Sequence, residues 1–148
     1  MVQTTPFLLV LSLALVAPGL SARKSVLTGC WTNDLGSNMT IGNVDESGNF
    51  AGSYLTAVKN TPNKIQESPL RGSQNYMNEN NEPTFGFTVN WSFSDSITVF
   101  TGQYFVDDNG REILKTLWLL RSSVRNIKED WKATMVGTNT FQRLHSNK

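Results

Sequence analysis

Phe85-Gly86-Phe87-Thr88-Val89-Asn90-Trp91-Ser92-Phe93 places a large apolar side chain at every second position and a small or polar one between. An extended chain sends alternate side chains to opposite faces, so this stretch reads as a strand with one buried and one wet face. On a helix the same five residues would be spread around the axis. Period two recurs along nearly the whole chain, and turn signals interrupt it every ten residues or so. Eight strands follow, near 28–35, 38–44, 50–57, 64–73, 83–93, 96–107, 111–121 and 132–144. Gly36, Asp45-Glu46-Ser47-Gly48-Asn49, Thr61-Pro62-Asn63 and Asp107-Asp108-Asn109-Gly110 supply the turns, and residues 74–83 form a long polar loop. Only 122–131, with Ser122 and Ser123 ahead of Asn126, suits a helical turn.

Eight short strands with hairpin-length links predict an all-β fold, an eight-stranded antiparallel up-and-down β-barrel, with a β-sandwich as the competitor. The barrel removes both exposed edges. Parity supports it. Stepping in twos, strand one points Trp31, Asn33 and Leu35 inward, and strand three points Phe50, Gly52, Tyr54 and Thr56. Thr98 and Phe100 follow on strand six, Trp118, Leu120 and Ser122 on strand seven, and Gly137, Asn139 and Phe141 on strand eight. One end of this interior is apolar, while the other mixes tryptophan with Asn, Tyr, Thr and Ser. An unpaired buried polar group costs on the order of 1–3 kcal/mol. Asn33, Tyr54, Thr56, Thr98 and Asn139 therefore need polar partners, which can be water, backbone or a small ligand. Aromatic walls with a few convergent hydrogen-bonding groups are the usual make-up of a small-molecule site.

The apolar run Phe7–Ala17, followed by Pro18-Gly19 and the small residues Ser21-Ala22, reads as a secretory signal peptide over 1–21, with a barrel domain over 22–148. The run is too short to span a bilayer. The chain is expected to be secreted into the extracellular space. Its formal net charge of +1 gives no electrostatic reason to expect nucleic acid or membrane as a partner. Cys30 is the only cysteine, so no disulfide can form within the chain, and the thiol is either free or bridges subunits. The single histidine, His145, lies in the C-terminal tail. No Ser-His-Asp set, metal cluster or phosphate loop is apparent, so an enzyme is not expected.

Four ordered stretches carry a family resemblance: Thr28–Met39, Pro83–Trp91, Thr98–Gln103 and Leu114–Ser123, completed by Asp130-Trp131-Lys132-Ala133-Thr134. Together they resemble the avidin family across essentially the whole mature chain. The resemblance implies a homotetramer of barrels that sequesters the vitamin biotin, with biotin as ligand and no cofactor. It matches Asn33, Ser37 and Tyr54 to donors for the ureido oxygen, and Thr56 and Asn139 to acceptors for the ureido N–H groups. Thr98 matches a hydroxyl facing the thioether sulfur. Trp91, Phe93, Phe100, Trp118 and Leu120 match the apolar wall, and Thr61, Ser94 and Ser96 the carboxylate end. Trp131 matches a lid given to a neighbouring subunit. Asn38-Met39-Thr40 matches the family's glycosylation site, while Asn90-Trp91-Ser92 is a formal sequon of this chain alone. Trp31 is similar to the tryptophan that closes the floor of lipocalin-like barrels under an arginine of the last strand, here Arg143.

Departures from the family pattern are also expected to matter. Ser25 and Tyr104 stand at the positions of a family disulfide. Lys59 and Asn60 replace small residues at the carboxylate end, and Thr138 replaces a larger apolar residue at a subunit contact that Leu117 and Val136 retain. The competing function is a lipocalin-like carrier of another apolar ligand. A carrier of long lipid tails would have little use for five inward polar groups.

Overall fold

A computed structural model describes residues 24–58, 61–75 and 81–145. The expected signal peptide, Lys59 and Asn60 lie outside the described residues. The strands are β1 (Gly29–Asn33), β2 (Asn38–Ile41), β3 (Asn49–Leu55), β4 (Ser68–Gln74), β5 (Thr84–Asn90), β6 (Ile97–Val106), β7 (Glu112–Arg121) and β8 (Thr134–Arg143). Each pairs antiparallel with its neighbour in sequence. β1 also pairs with β8, through Trp31 with Arg143 and Asn33 with Phe141. The sheet is therefore a closed barrel and not a sandwich.

Local chemistry explains where the strands stop short of the periodic pattern. β1 ends at Asn33 and not Leu35, because the Asn33 side-chain oxygen accepts the N–H groups of Leu35 (3.0 Å) and Ser37 (2.8 Å). Gly36 completes that turn at φ 83°, a conformation that side chains with a Cβ resist. Leu35, expected to face inward, is 56% exposed on the turn. β5 ends at Asn90, where the Ser92 N–H turns aside to the Ser68 hydroxyl (3.0 Å). Trp91 and Phe93 lie beyond the ladder and are still buried. The expected helical turn is a 3₁₀ helix, η1 (Ile127–Lys132), whose Asn126 cap accepts from Lys128 N–H. It delays β8 to Thr134.

One end of the barrel is plugged. Trp31 is fully buried and its indole N–H donates to Leu27 O (2.9 Å). The Arg143 guanidinium lies 4.2 Å from the Trp31 ring centroid, donates to Thr28 O (2.9 Å) and Val26 O, and pairs with Glu112 (2.6 Å). Tyr104 donates to the other Glu112 oxygen (2.9 Å). The expected structural role of Trp31 beneath Arg143 is what the fold displays. At one of the two positions of the family's disulfide, Tyr104 instead joins a clasp that ties the N-terminal segment to β6, β7 and β8.

Burial by itself would raise the Glu112 carboxyl, but hydrogen bonds from Arg143 and Tyr104, with the guanidinium charge, hold it below its ordinary value. A carboxylate whose pKa falls on folding stabilises the protein above its unfolded pKa and loses that contribution as pH falls through the folded one. Glu112→Gln should therefore lower stability at pH 7 by about 1–2 kcal/mol, the scale of a hydrogen bond to a charged group. Urea unfolding should show the gap closing in acid below the ordinary value of 4.5. A gap of constant size would show that the charge of Glu112 contributes nothing.

Candidate functional site

The opposite end of the barrel opens into a cavity of about 600 Å³, inside the roughly 300–1,000 Å³ range of small-molecule sites. Asn33, Ser37, Tyr54, Thr56, Thr61, Trp91, Phe93, Ser94, Ser96, Thr98, Phe100, Trp118, Leu120 and Asn139 all line it. These are the sequence-predicted site residues with the exception of Trp131, which stands on η1 outside the cavity of its own chain and is 83% exposed.

The polarity of each group in the cavity is set by the bonds it makes elsewhere. Asn33 uses its side-chain oxygen on the β1–β2 turn, which leaves its amide N–H groups as donors, one of them to Tyr54 Oη (3.2 Å). Ser37 Oγ accepts from Ala57 N–H (3.0 Å), freeing its own hydrogen. Tyr54, accepting from Asn33, likewise keeps its O–H to give. Its pKa is pushed up to about 12, first by burial, so it stays a donor at neutral pH. Three donors thus meet where β1, β2 and β3 adjoin.

Two neighbours have the reverse polarity. Thr56 spends its hydrogen on Val58 O (2.7 Å), so its oxygen can only accept. Asn139 donates from Nδ2 to Asp34 (2.9 Å), which leaves its carbonyl oxygen as an acceptor. Deeper in the wall, Thr98 Oγ1 accepts the Trp91 indole N–H (2.8 Å) and keeps its own hydrogen. At the mouth the hydroxyls of Ser94 and Ser96 are 2.6 Å apart. Aromatic side chains form the wall between these groups: Tyr54 packs edge-on to Trp91 (5.4 Å) and stacks on Phe100 (5.7 Å), and Trp91 tilts against Phe93 (5.8 Å).

Val58, Pro62, Asp95 and Met135 also line the cavity, and sequence reasoning missed them together with the roles of Asp34 and Asn63. Asp34 bonds Asn139 across 105 positions, and its backbone N–H donates to Thr140 O (3.2 Å), so it both orients an acceptor and fastens β1 to β8. Parity directs Asp34 away from the interior, and only barrel closure brings it to Asn139. Asn63 donates to Phe93 O (2.8 Å) and holds the β3–β4 connection against the wall. Its place in Thr61-Pro62-Asn63 signalled only a turn. Among the described residues, no group of three His, Cys, Asp or Glu side chains is placed to hold a metal.

A barrel closed at one end, with an aromatic cavity and sorted donors and acceptors at the other, defines a binding protein for a small, partly polar molecule. The avidin family model matches residues 21–144. The chain is 67% identical over 147 residues to avidin of Gallus gallus, covering 98% of this chain and 97% of that one. It is 62% identical to avidin-related protein 4/5 of the same species, covering 97% of each chain. Among solved structures, a biotin-binding protein from chicken matches at TM-score 0.79 and 54% identity, over 82% of this chain and all of that one. Xenavidin matches at TM-score 0.77 and 52% identity, with the same coverage. The chain belongs to the avidin family.

Gly137 makes room for the Trp118 indole, because a Cβ at that position would lie 2.3 Å from the ring. Gly137→Ala should displace the indole and cost about 1–3 kcal/mol, as overpacking does. A shift in tryptophan emission together with a lowered urea midpoint checks this. An unchanged spectrum and midpoint would show that the ring adapts freely.

Proposed function

We propose that this chain is a secreted, non-catalytic protein that binds biotin with high affinity and sequesters it, acting as a homotetramer. The observation that carries the reading is the sorted hydrogen-bond polarity at the open end. A ureido group presents one carbonyl oxygen and two N–H groups. The three donors Asn33, Ser37 and Tyr54 suit the oxygen, held in place beforehand as the donors of an oxyanion hole are, though here for binding. The acceptors Thr56 and Asn139 suit the N–H groups, and the free hydroxyl hydrogen of Thr98 suits a thioether sulfur. Trp91, Phe93, Phe100, Trp118 and Leu120 supply the apolar contact, with Thr61, Ser94 and Ser96 toward the carboxylate. The solved relative described as a biotin-binding protein supports the same ligand. The groups lining the cavity are chiefly hydroxyls, amides, aromatic rings and aliphatic side chains, with Asp95 at the rim, a set suited to holding a ligand.

The tetramer is supported by the outer surface. Val99, Leu117, Leu119 and Val136 are apolar and exposed on the adjoining strands β6, β7 and β8, with Val99 opposite Leu119 and Leu119 opposite Val136. A contiguous apolar face of this kind marks a protein contact. Thr138, outward on β8, interrupts it. Trp131, exposed beside this face, is available as a lid for a neighbour's cavity. The signal-like segment supports secretion, and exposed Asn38 at the start of β2 is open to glycosylation. Asn90, exposed at the end of β5, is the second candidate.

Titrating biotin while following tryptophan fluorescence tests the ligand, and light scattering tests the assembly. Saturable quenching with a tetrameric mass is the expected result, and no response to biotin overturns the reading. Trp131→Ala should weaken binding by about 2–4 kcal/mol, as loss of a desolvated aromatic anchor does. Unchanged affinity in that variant would exclude a shared site.

A further inference from the structure

Two hairpin loops at the closed end of the barrel are built on one plan. In the β2–β3 loop, Asp45 Oδ1 accepts the N–H groups of Ser47 and Asn49 (both 2.9 Å), and the Gly48 N–H donates to Asp45 O (3.0 Å). In the β6–β7 loop, Asp107 Oδ1 accepts from Asn109 and Arg111 (both 2.9 Å), and the Gly110 N–H donates to Asp107 O (2.9 Å). The loops differ in the residue before the glycine, Ser47 in one and Asn109 in the other. Serine shows that a loop of this shape does not need the asparagine. Asn109 is exposed, and among the described residues its side-chain amide makes no hydrogen bond. A Cβ built on Gly110 would meet nothing within 4 Å, so that side of the Asn109–Gly110 peptide is open.

We propose that Asn109 is a site of spontaneous modification, a deamidation that converts it to aspartate and isoaspartate and loosens the floor of the barrel. Hydroxide deprotonates the Gly110 backbone nitrogen, which attacks Asn109 Cγ. A C–N bond forms, the Cγ–Nδ2 bond breaks, and Nδ2 leaves as ammonia after taking a proton from water, which restores the hydroxide. Water then opens the cyclic imide. Hydrolysis at Cγ gives aspartate, and hydrolysis at the backbone carbonyl gives isoaspartate, whose side-chain methylene has become part of the main chain. Glycine favours the attack because no Cβ hinders the nitrogen. In the folded loop the hydrogen of that nitrogen is held by Asp107 O, so attack waits for the hairpin tip to open. Exposed tips open locally at little cost and without global unfolding. The product acts on its neighbour. The first rung of the hairpin pairs Val106 with Glu112, and Glu112 holds Tyr104 (2.9 Å) and Arg143 (2.6 Å). Isoaspartate lengthens the main chain between Asp107 and Arg111, so the misfit falls on the rung that carries Glu112.

The test ages the full chain in mildly alkaline buffer and follows the peptide that contains Asn109, by mass and by methylation with an isoaspartyl methyltransferase. The expected result is a steady gain of both products while the protein stays folded. Asp107→Ala, which unlatches the tip, should speed the gain about threefold to tenfold, the scale of one hydrogen bond. Asn109→Ser, which copies Ser47, should abolish it and keep the fold. An Asn109 that stays intact in folded protein while the urea-unfolded chain converts overturns the site. An Asp107→Ala rate equal to the native one overturns tip opening as its gate. The link to the floor is read from the urea midpoint of the isolated isoaspartate fraction. That midpoint should fall below the midpoint of Asn109→Asp, which has the charge without the added methylene. In Glu112→Gln, where the clasp is already cut, isoaspartate should lower the midpoint less. An equal drop with and without Glu112 overturns the coupling to the clasp.

Discussion

The pairing of β1 with β8 is the constraint on which the pocket depends. It is the one strand contact made by elements at opposite ends of the domain, and it sets Asn33 beside Phe141 and Trp31 beside Arg143. The same seam carries the Asp34–Asn139 bond at the open end and the Arg143 contacts with Thr28 and Val26 at the closed end. Without closure, Asn139 would lose the partner that fixes its amide, and the donors of β1–β3 would not face the acceptor of β8. Binding geometry and fold therefore share one set of hydrogen bonds.

A second principle operates within that frame. A hydroxyl or amide inside a barrel can donate or accept, and an undecided group makes a poor recognition element. Here the backbone makes the decision. The turn after β1 takes the Asn33 oxygen, Ala57 N–H takes a Ser37 lone pair, and Val58 O takes the Thr56 hydrogen. Among the described residues, no buried side-chain polar atom is left without a partner. The interior can therefore be polar without a large desolvation cost, because each group is bonded on its protein side and keeps its remaining capacity toward the cavity.

Much of this was legible in the sequence, and the reason is periodicity. The alternation from Phe85 to Phe93 requires an extended strand, and repeating it eight times with short turns leaves closure as the way to remove the edges. The polar inward set could be listed by parity alone, and the resemblance to the avidin family then gave it a chemical meaning. What parity could not give was anything decided by side chains off the ladder. Leu35 lines the mouth of the cavity from a turn and not from the ladder, because Asn33 ends β1 with its own side chain. Asp34, outward by parity, became part of the site through a contact across 105 positions. Asn63 lies in a turn whose sequence tells nothing of what its amide will reach.

The two ends of the barrel divide the labour. The closed end is fastened by Trp31, Arg143, Glu112 and Tyr104, among which charge, hydrogen bonding and a cation–π contact all act on the same few atoms. The open end is held by bonds between neighbouring strands and loops, such as Asn33 to Tyr54, Ala57 to Ser37 and Asn63 to Phe93, and by the Asp34–Asn139 link across the seam. Residues far apart with no shared partners usually act independently on stability. The clasp at the closed end contains none of the residues that line the cavity. Tyr104 stands where relatives would place half of a disulfide, and Ser25, at the other half, donates instead to Gln74 (2.5 Å). A covalent tether can thus give way to ionic and hydrogen-bonded ones without disturbing the groups that meet the ligand. Recognition can then diverge at the open end while the floor of the barrel keeps the fold closed.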